Sequence, residues 1–240
     1  MPARLRLAAA PGLLAARART AGPDQVPGLI GWFDAATPET LSLGGADVIA
    51  NANRVPGGPG LTAVGAGGPA YAPTGGPGGR PALLWPDAPN NLGLSLAKDA
   101  QVAELFVVCQ FAGGTTATWP TYNAVFSSRT AVNECTAVGE IGKSHLAFGN
   151  AGQLVSSVSI NGAPFGSAML PLPLSILHFS ASTESLPHLT LAAFGFQHAA
   201  ATLGRSWRGP ICEVLAYLTA LTPNQRAHVQ AYLTRKWRFW

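Results

Sequence analysis

Two short groups of residues stand out for what they could hold. Trp119-Pro-Thr-Tyr122-Asn123 follows a Gly113-Gly-Thr-Thr-Ala run, and Arg205-Ser-Trp207-Arg208 precedes the last apolar stretch of the chain. The apolar face of a pyranose stacks on Trp or Tyr while nearby amides and Arg bond its hydroxyls. Trp119, Tyr122, Asn123, Arg205 and Trp207 are therefore the candidate ligand-binding residues. The competing reading makes Trp207 a cap ahead of the last strand and Trp119 the filling of a loop base. Trp32, Trp85 and Trp237 read as core or interface residues.

Hydrolytic chemistry is harder to find. A glycosidase strand would present two carboxylates at alternate positions on one face, and none of the 11 acidic residues falls in such a pattern. Glu134 and Glu140 flank Gly139, and Glu213 stands alone in its apolar run, so a pair would have to meet from distant strands. The five histidines, His145, His178, His188, His198 and His228, form no metal-binding pair. Each is expected on the surface or in a loop, with His228 on the polar side of the final helix. A G-x-S-x-G elbow is missing. Asp87-Ala-Pro-Asn90-Asn91 could offer calcium three side-chain oxygens, or be an ordinary Asx/Pro turn. Gly75-Gly-Pro-Gly-Gly79 lacks the Lys-Ser or Lys-Thr of a phosphate loop. The expectation is a non-enzymatic protein with no cofactor and no metal.

The elements that must position these residues are mainly strands. Leu105 to Phe111 is nearly continuous in apolar residues, as for a strand covered on both faces. Leu29 to Phe33, Asn123 to Ser128, Ala137 to Ile141, His145 to Phe148, Gln153 to Ile160, Leu174 to Ser180, Leu189 to Phe196 and Ile211 to Leu218 are further strand candidates. Asn161-Gly162 fits a type I′ hairpin turn, and Pro164 places its return strand at an edge. Asn51 to Gly79 reads as loop with one or two short edge strands around Leu61 to Val64. Leu221-Thr-Pro-Asn-Gln225 opens a helix to Trp237, with Thr222 at the N-cap, Pro223 at the first helical position and Gln225 completing a capping box. Val229, Tyr232, Leu233, Lys236 and Trp237 form its inward stripe, with Arg226, Gln230 and Arg235 outwards. Many short strands and one helix predict an all-β antiparallel β-sandwich or jelly roll with a short C-terminal α-helix.

Trp207-Arg-Gly-Pro-Ile-Cys-Glu213-Val-Leu-Ala-Tyr217, with Leu221-Thr-Pro and Tyr232-Leu-Thr-Arg-Lys236-Trp237, resembles the C-terminal segment of bacterial and phage concanavalin A-like (laminin-G-like) jelly-roll domains. Gly28-Leu-Ile-Gly-Trp-Phe-Asp34-Ala resembles their opening strand, and Gly79-Arg-Pro-Ala-Leu83 the segment leading into a later one. The resemblance spans residues 28 to 237. It implies the fold more firmly than a function, since that fold serves lectins, glycosidases and passive virion parts. The reading it favours is a virion-associated head or tail fibre, spike or decoration subunit of a phage, prophage or gene-transfer particle, touching host-surface glycans. The alternatives are a free-standing bacterial carbohydrate-binding module and, third, a glycoside hydrolase.

The 240 residues suit one domain, 26–240, behind an N-terminal arm, 1–25. Charged residues make up only 11%, less than half of the usual share of about 25%. A surface so poor in charge fits a homo-oligomer, a subunit of a larger assembly or a binder of neutral glycans, or else reflects an Ala/Gly/Pro/Arg-rich genome. The net charge of +4 does not signify nucleic acid, because the basic residues form no stripe interleaved with aromatics; Arg4, Arg6, Arg17 and Arg19 lie in the arm, and Arg235, Lys236 and Arg238 at the end of the helix. Met1 to Thr20 is a poor signal peptide, its apolar run broken by Pro11-Gly12, and Leu5 to Arg19 is expected to form a short amphipathic helix or extended arm contacting a neighbouring subunit. No run is long enough for a membrane span. Cys109, Cys135 and Cys212 lack disulfide or zinc spacing and read as free thiols.

Overall fold

In Glu104–Cys109 all six side chains are buried, so this strand lies between two covering layers, as its unbroken apolar run requires. The computed structural model describes residues 22–129, 137–147, 155–164, 168–181, 189–198 and 203–237. Cys135, His188 and the arm up to residue 21 lie outside them.

In chain order the strands are β1 (Leu29–Asp34), β2 (Leu41–Gly44), β3 (Asp47–Asn51), β4 (Leu61–Gly65), β5 (Ala70–Gly76), β6 (Arg80–Trp85), β7 (Leu92–Val102) and β8 (Glu104–Cys109). They continue as β9 (Ala124–Ser127), β10 (Ala137–Gly139), β11 (Leu146–Ala147), β12 (Val155–Ile160), β13 (Ala163–Pro164), β14 (Ser175–Ala181), β15 (Leu189–Phe194) and β16 (Gly209–Tyr217), before helix α1 (Pro223–Trp237). The hydrogen-bonded path runs β11-β10-β9-β15-β7-β4-β3-β5-β6-β16-β8-β14-β12-β13, narrowing to the single pair Asp47–Ala70 between β3 and β5, with β1 on β16 and β2 on β3. Ring contacts bridge strands far apart on that path: Phe126 meets Phe179 at 5.2 Å and Phe33 meets Phe194 at 6.2 Å between centroids. The strands thus pack as two facing layers, an all-β sandwich of antiparallel strands.

A second apolar layer lies outside β6-β16-β8-β14. There Phe106, Val108, Ile176, Leu215 and Tyr217 meet Val229, Leu233 and Trp237 of α1. The helix begins as its sequence dictates: the Thr222 N–H donates to Gln225 Oε1 at 2.8 Å, and the Gln225 N–H to Thr222 Oγ1 at 3.3 Å. Arg226 does not simply look outwards, because it reaches back to Glu104. Asn161 (φ 54°) and Gly162 (φ 83°) both take the left-handed conformation of a type I′ turn, and Pro164 lies on the two-residue edge strand β13.

The segment 51–79 corrects the expectation of edge strands. β4 is held between β3 and β7, and β5 between β3 and β6. Their Gly and Pro residues occupy crowded positions and turns; Gly68 allows no side chain because a Cβ would lie 1.8 Å from the Val48 carbonyl oxygen. Cys109 and Cys212 are buried free thiols, and burial pushes both pKa values up, Cys212 to about 12. Among the described residues no helix is long and apolar enough to cross a membrane.

Candidate functional site

The five residues singled out for sugar contact come together at one end of the sandwich, but they divide into a buried base and an accessible rim. Trp119 and Trp207 are both 0% exposed, which excludes them as stacking platforms. Phe111 lies 4.3 Å from Trp119 and 5.0 Å from Trp207, and the two indoles are 6.1 Å apart, all between centroids. The physical reason is packing. The end of the interlayer core needs large aromatic plugs, and Trp119 lies against Gly139 of β10 so closely that a Cβ there would fall 1.9 Å from its ring. The loop carrying Trp119 is pinned by Trp119 N–H to the Lys143 carbonyl and Gly142 N–H to the Trp119 carbonyl, both 2.8 Å. Gly139→Ala is expected to cost about 2–3 kcal/mol through overpacking, read as a lower urea midpoint; an unchanged midpoint would show that the ring can move.

Asn123 also belongs to the base. It is 0% exposed, and its Nδ2 donates to the Ser206 carbonyl at 2.7 Å. The rim consists of Tyr122 and Arg205, both half-buried, with the guanidinium 4.8 Å from the ring centroid. Asn90 and Asn91 line the adjoining loop. Asn90 Nδ2 donates to the Trp207 carbonyl at 3.0 Å, its Oδ1 accepts the Leu92 N–H at 3.1 Å, and Asn91 Oδ1 accepts the Gly204 N–H at 2.8 Å. Both amide oxygens are thus spent on backbone donors, as in an Asx turn. The Asx-turn reading thus accounts for the geometry of Asn90 and Asn91, and no group of three His, Cys, Asp or Glu among the described residues is placed to hold a metal.

Five buried polar atoms at this end, Trp119 Nε1, Asn123 Oδ1, Ser206 Oγ, Trp207 Nε1 and Arg208 Nε, have no hydrogen-bond partner among the described residues. Leaving such an atom unpaired costs about 1–3 kcal/mol, so the base is suited to hydroxyl partners, whether ordered water or a ligand. Burial also lowers the Arg208 pKa from its ordinary value.

Two further constellations were not legible locally. In the first, β1 and β16 set Asp34 opposite Glu213. Lys236 Nζ bridges them at 2.6 and 2.8 Å, Arg54 joins Asp34 at 2.6 Å, and Glu213 also accepts from Trp32 Nε1, Tyr232 OH and Trp237 Nε1. Glu213 therefore does not stand alone. Yet the two carboxylates are 2% and 1% exposed and face the helix, so this pair clamps α1 to the sheet and offers no cleft for a sugar ring.

In the second, β8 and β14 join Glu104 to His178, Oε2 to Nε2, at 2.5 Å. His178 corrects the expectation of a surface histidine, since it lies in the middle of β14 and is 8% exposed. Its ring stacks on Phe106 at 4.2 Å, and Ser180 Oγ donates to Glu104 Oε2 at 2.8 Å. Arg226 Nη2 and the Leu221 N–H hold the other carboxylate oxygen at 2.6 and 3.1 Å. Burial pushes the Glu104 carboxyl up, but hydrogen bonds from His178, Arg226 and Ser180 outweigh it and bring the pKa down to about 2. Elsewhere, His145 pairs with Glu140 at 2.7 Å. His198 meets Ser95 Oγ at 2.8 Å, and burial, then Arg129, lowers its pKa. Ser95 is 1% exposed and also lies 3.0 Å from two backbone carbonyls, so this contact holds a loop on β7.

No protein-family model matches the chain, and no curated protein does. A solved structure, domain 4 of AbnA, a GH43 extracellular arabinanase from Geobacillus stearothermophilus in complex with arabinotriose, aligns with 84% of this chain and 98% of its own at 15% identity and a TM-score of 0.46. An overlap so loose transfers neither ligand nor activity, and the arabinotriose belongs to that domain.

Proposed function

We propose that this chain is a glycan-recognition domain that contacts sugar through the Tyr122–Arg205 end of the sandwich. The observation that carries the reading is the half-exposed Arg205–Tyr122 stack seated on a rigid aromatic base. A ring edge and a guanidinium fork at the loop end of a sandwich supply a stacking surface and directed donors to ring hydroxyls. The low charge content of 11% suits a neutral ligand. Binding is favoured over glycosidic hydrolysis because Asp34, Glu213 and Glu104 are each buried in ion pairs. The virion setting rests on the resemblance and on the arm, most of which lies outside the described residues; a glycan-contacting end serves a particle spike and a cell-surface module equally.

A glycan array screened with the full chain tests this. Retention of a neutral oligosaccharide is expected, falling about tenfold or more, or about 1.4 kcal/mol, in Tyr122→Ala and in Arg205→Ala. Absence of any retained glycan, or retention unchanged in both variants, would overturn it.

A further inference from the structure

We infer that Ser159, His178 and Glu104 form a nucleophile, base and positioning residue for acyl transfer from small carboxylic esters, on the outer face of the β8-β14-β12 sheet. The inference does not depend on glycan binding, since it concerns a different face of the molecule. Three adjacent strands build the relay. Ser159 of β12 lies opposite His178 of β14, and Ser180, two residues on and on the same face, lies opposite Glu104 of β8. His178 Nδ1 is 3.4 Å from Ser159 Oγ, and its Nε2 is 2.5 Å from Glu104 Oε2. The Glu104 carboxylate, facing Nε2, favours the tautomer that places a proton on that nitrogen. In that tautomer Nδ1 presents its lone pair to the Ser159 hydroxyl.

The supporting contacts fix this arrangement. Stacking on Phe106, with planes 12° apart, sets the imidazole plane. Arg226 and the Leu221 N–H hold the far carboxylate oxygen and so tie the orientation of Glu104 to the start of α1. Ser159, unlike Ser95, is only half-buried. It sits beside the short edge strand β13, where its partner Pro164 has no N–H to offer. A nucleophile within reach of a base, with the base held by a third group, is the geometry of activated serine. The 3.4 Å separation is of the kind that tightens when substrate binds.

In the acylation step the Ser159 oxygen bonds to the ester carbonyl carbon as its proton passes to His178 Nδ1. The carbon–alkoxy bond then breaks, and the alcohol leaves with that proton. Water attacks the acyl-serine, giving a proton to His178; the acid departs, and the proton returns to Ser159. The sum is ester plus water to acid plus alcohol, with no redox change. Glu104 touches no reacting atom and acts only through His178.

The experiment treats the full chain with a fluorophosphonate probe, maps adducts by peptide mass spectrometry and follows p-nitrophenyl acetate hydrolysis. One adduct at Ser159 is expected, with the exposed neighbour Ser157 unmodified. Hydrolysis is expected to fall about a hundredfold in Ser159→Ala, a small change that leaves the ion network intact. In Glu104→Gln, assayed where circular dichroism shows it folded, kcat falls with KM unchanged. An unmodified Ser159, or hydrolysis unaffected by Ser159→Ala, would overturn the inference.

Discussion

Replacing Lys236 by methionine is expected to destabilise the fold by about 3–5 kcal/mol, the range for removing one partner of a buried charge group. Lys236 Nζ is the shared cation of Asp34 and Glu213. Methionine keeps most of the stem, so packing loss is small and the effect is electrostatic. Asp34 retains Arg54 at 2.6 Å, whereas Glu213 keeps only neutral donors, the two indoles and the Tyr232 hydroxyl. The pH dependence of the deficit has a definite sign. Burial pushes the Glu213 carboxyl up, Lys236 pulls it down and Asp34 pushes it up again. Without Lys236 the carboxyl rises further above its unfolded value. A raised carboxyl stabilises the fold below its unfolded pKa and loses that contribution as pH rises through the folded one. The deficit should therefore be largest at neutral pH and shrink towards acid. Urea unfolding at several pH values measures it; a loss below about 1 kcal/mol would mean that solvent already screens the group.

Glu104→Gln is the second large effect, about 3 kcal/mol at neutral pH. The carboxyl is fully buried, and its pKa falls from the ordinary 4.5 to about 2, a shift that corresponds to that energy. A depressed carboxyl stabilises above its unfolded pKa and loses the contribution as pH falls through the folded one. The wild type should thus weaken between pH 4.5 and about 2. The glutamine variant should start lower and show a flatter acid limb. Equal acid limbs in the two proteins would show that other carboxylates govern acid unfolding.

The parts of the fold visible in the sequence were those specified by local chemistry. Thr222-Pro-Asn-Gln225 encodes its own cap, Asn161-Gly162 its own turn, and the apolar run of β8 its own burial. β4 and β5 were obscured because Gly and Pro there serve close backbone approach, which composition alone renders as loop. The candidate site was legible as a cluster, since Trp119, Tyr122, Asn123, Arg205 and Trp207 do converge, but not in its depth. Whether an indole faces solvent or plugs a core depends on what the opposite layer supplies, here Phe111 and the bare Cα of Gly139. The Asp34–Glu213–Lys236 and Glu104–His178–Ser159 groups join residues from distant parts of the chain. Only strand pairing and the docking of α1 bring such residues together, so no spacing motif could mark them.

The most direct test of glycan recognition at the Tyr122–Arg205 end is an amide chemical-shift titration of the full chain with the oligosaccharide that the array retains best. Shifts are expected to concentrate at Asn90, Asn91, Tyr122, Asn123 and Gly204 to Trp207, with little change in β12 and β14. Perturbations centred on any other face, or none at saturating sugar, would contradict it.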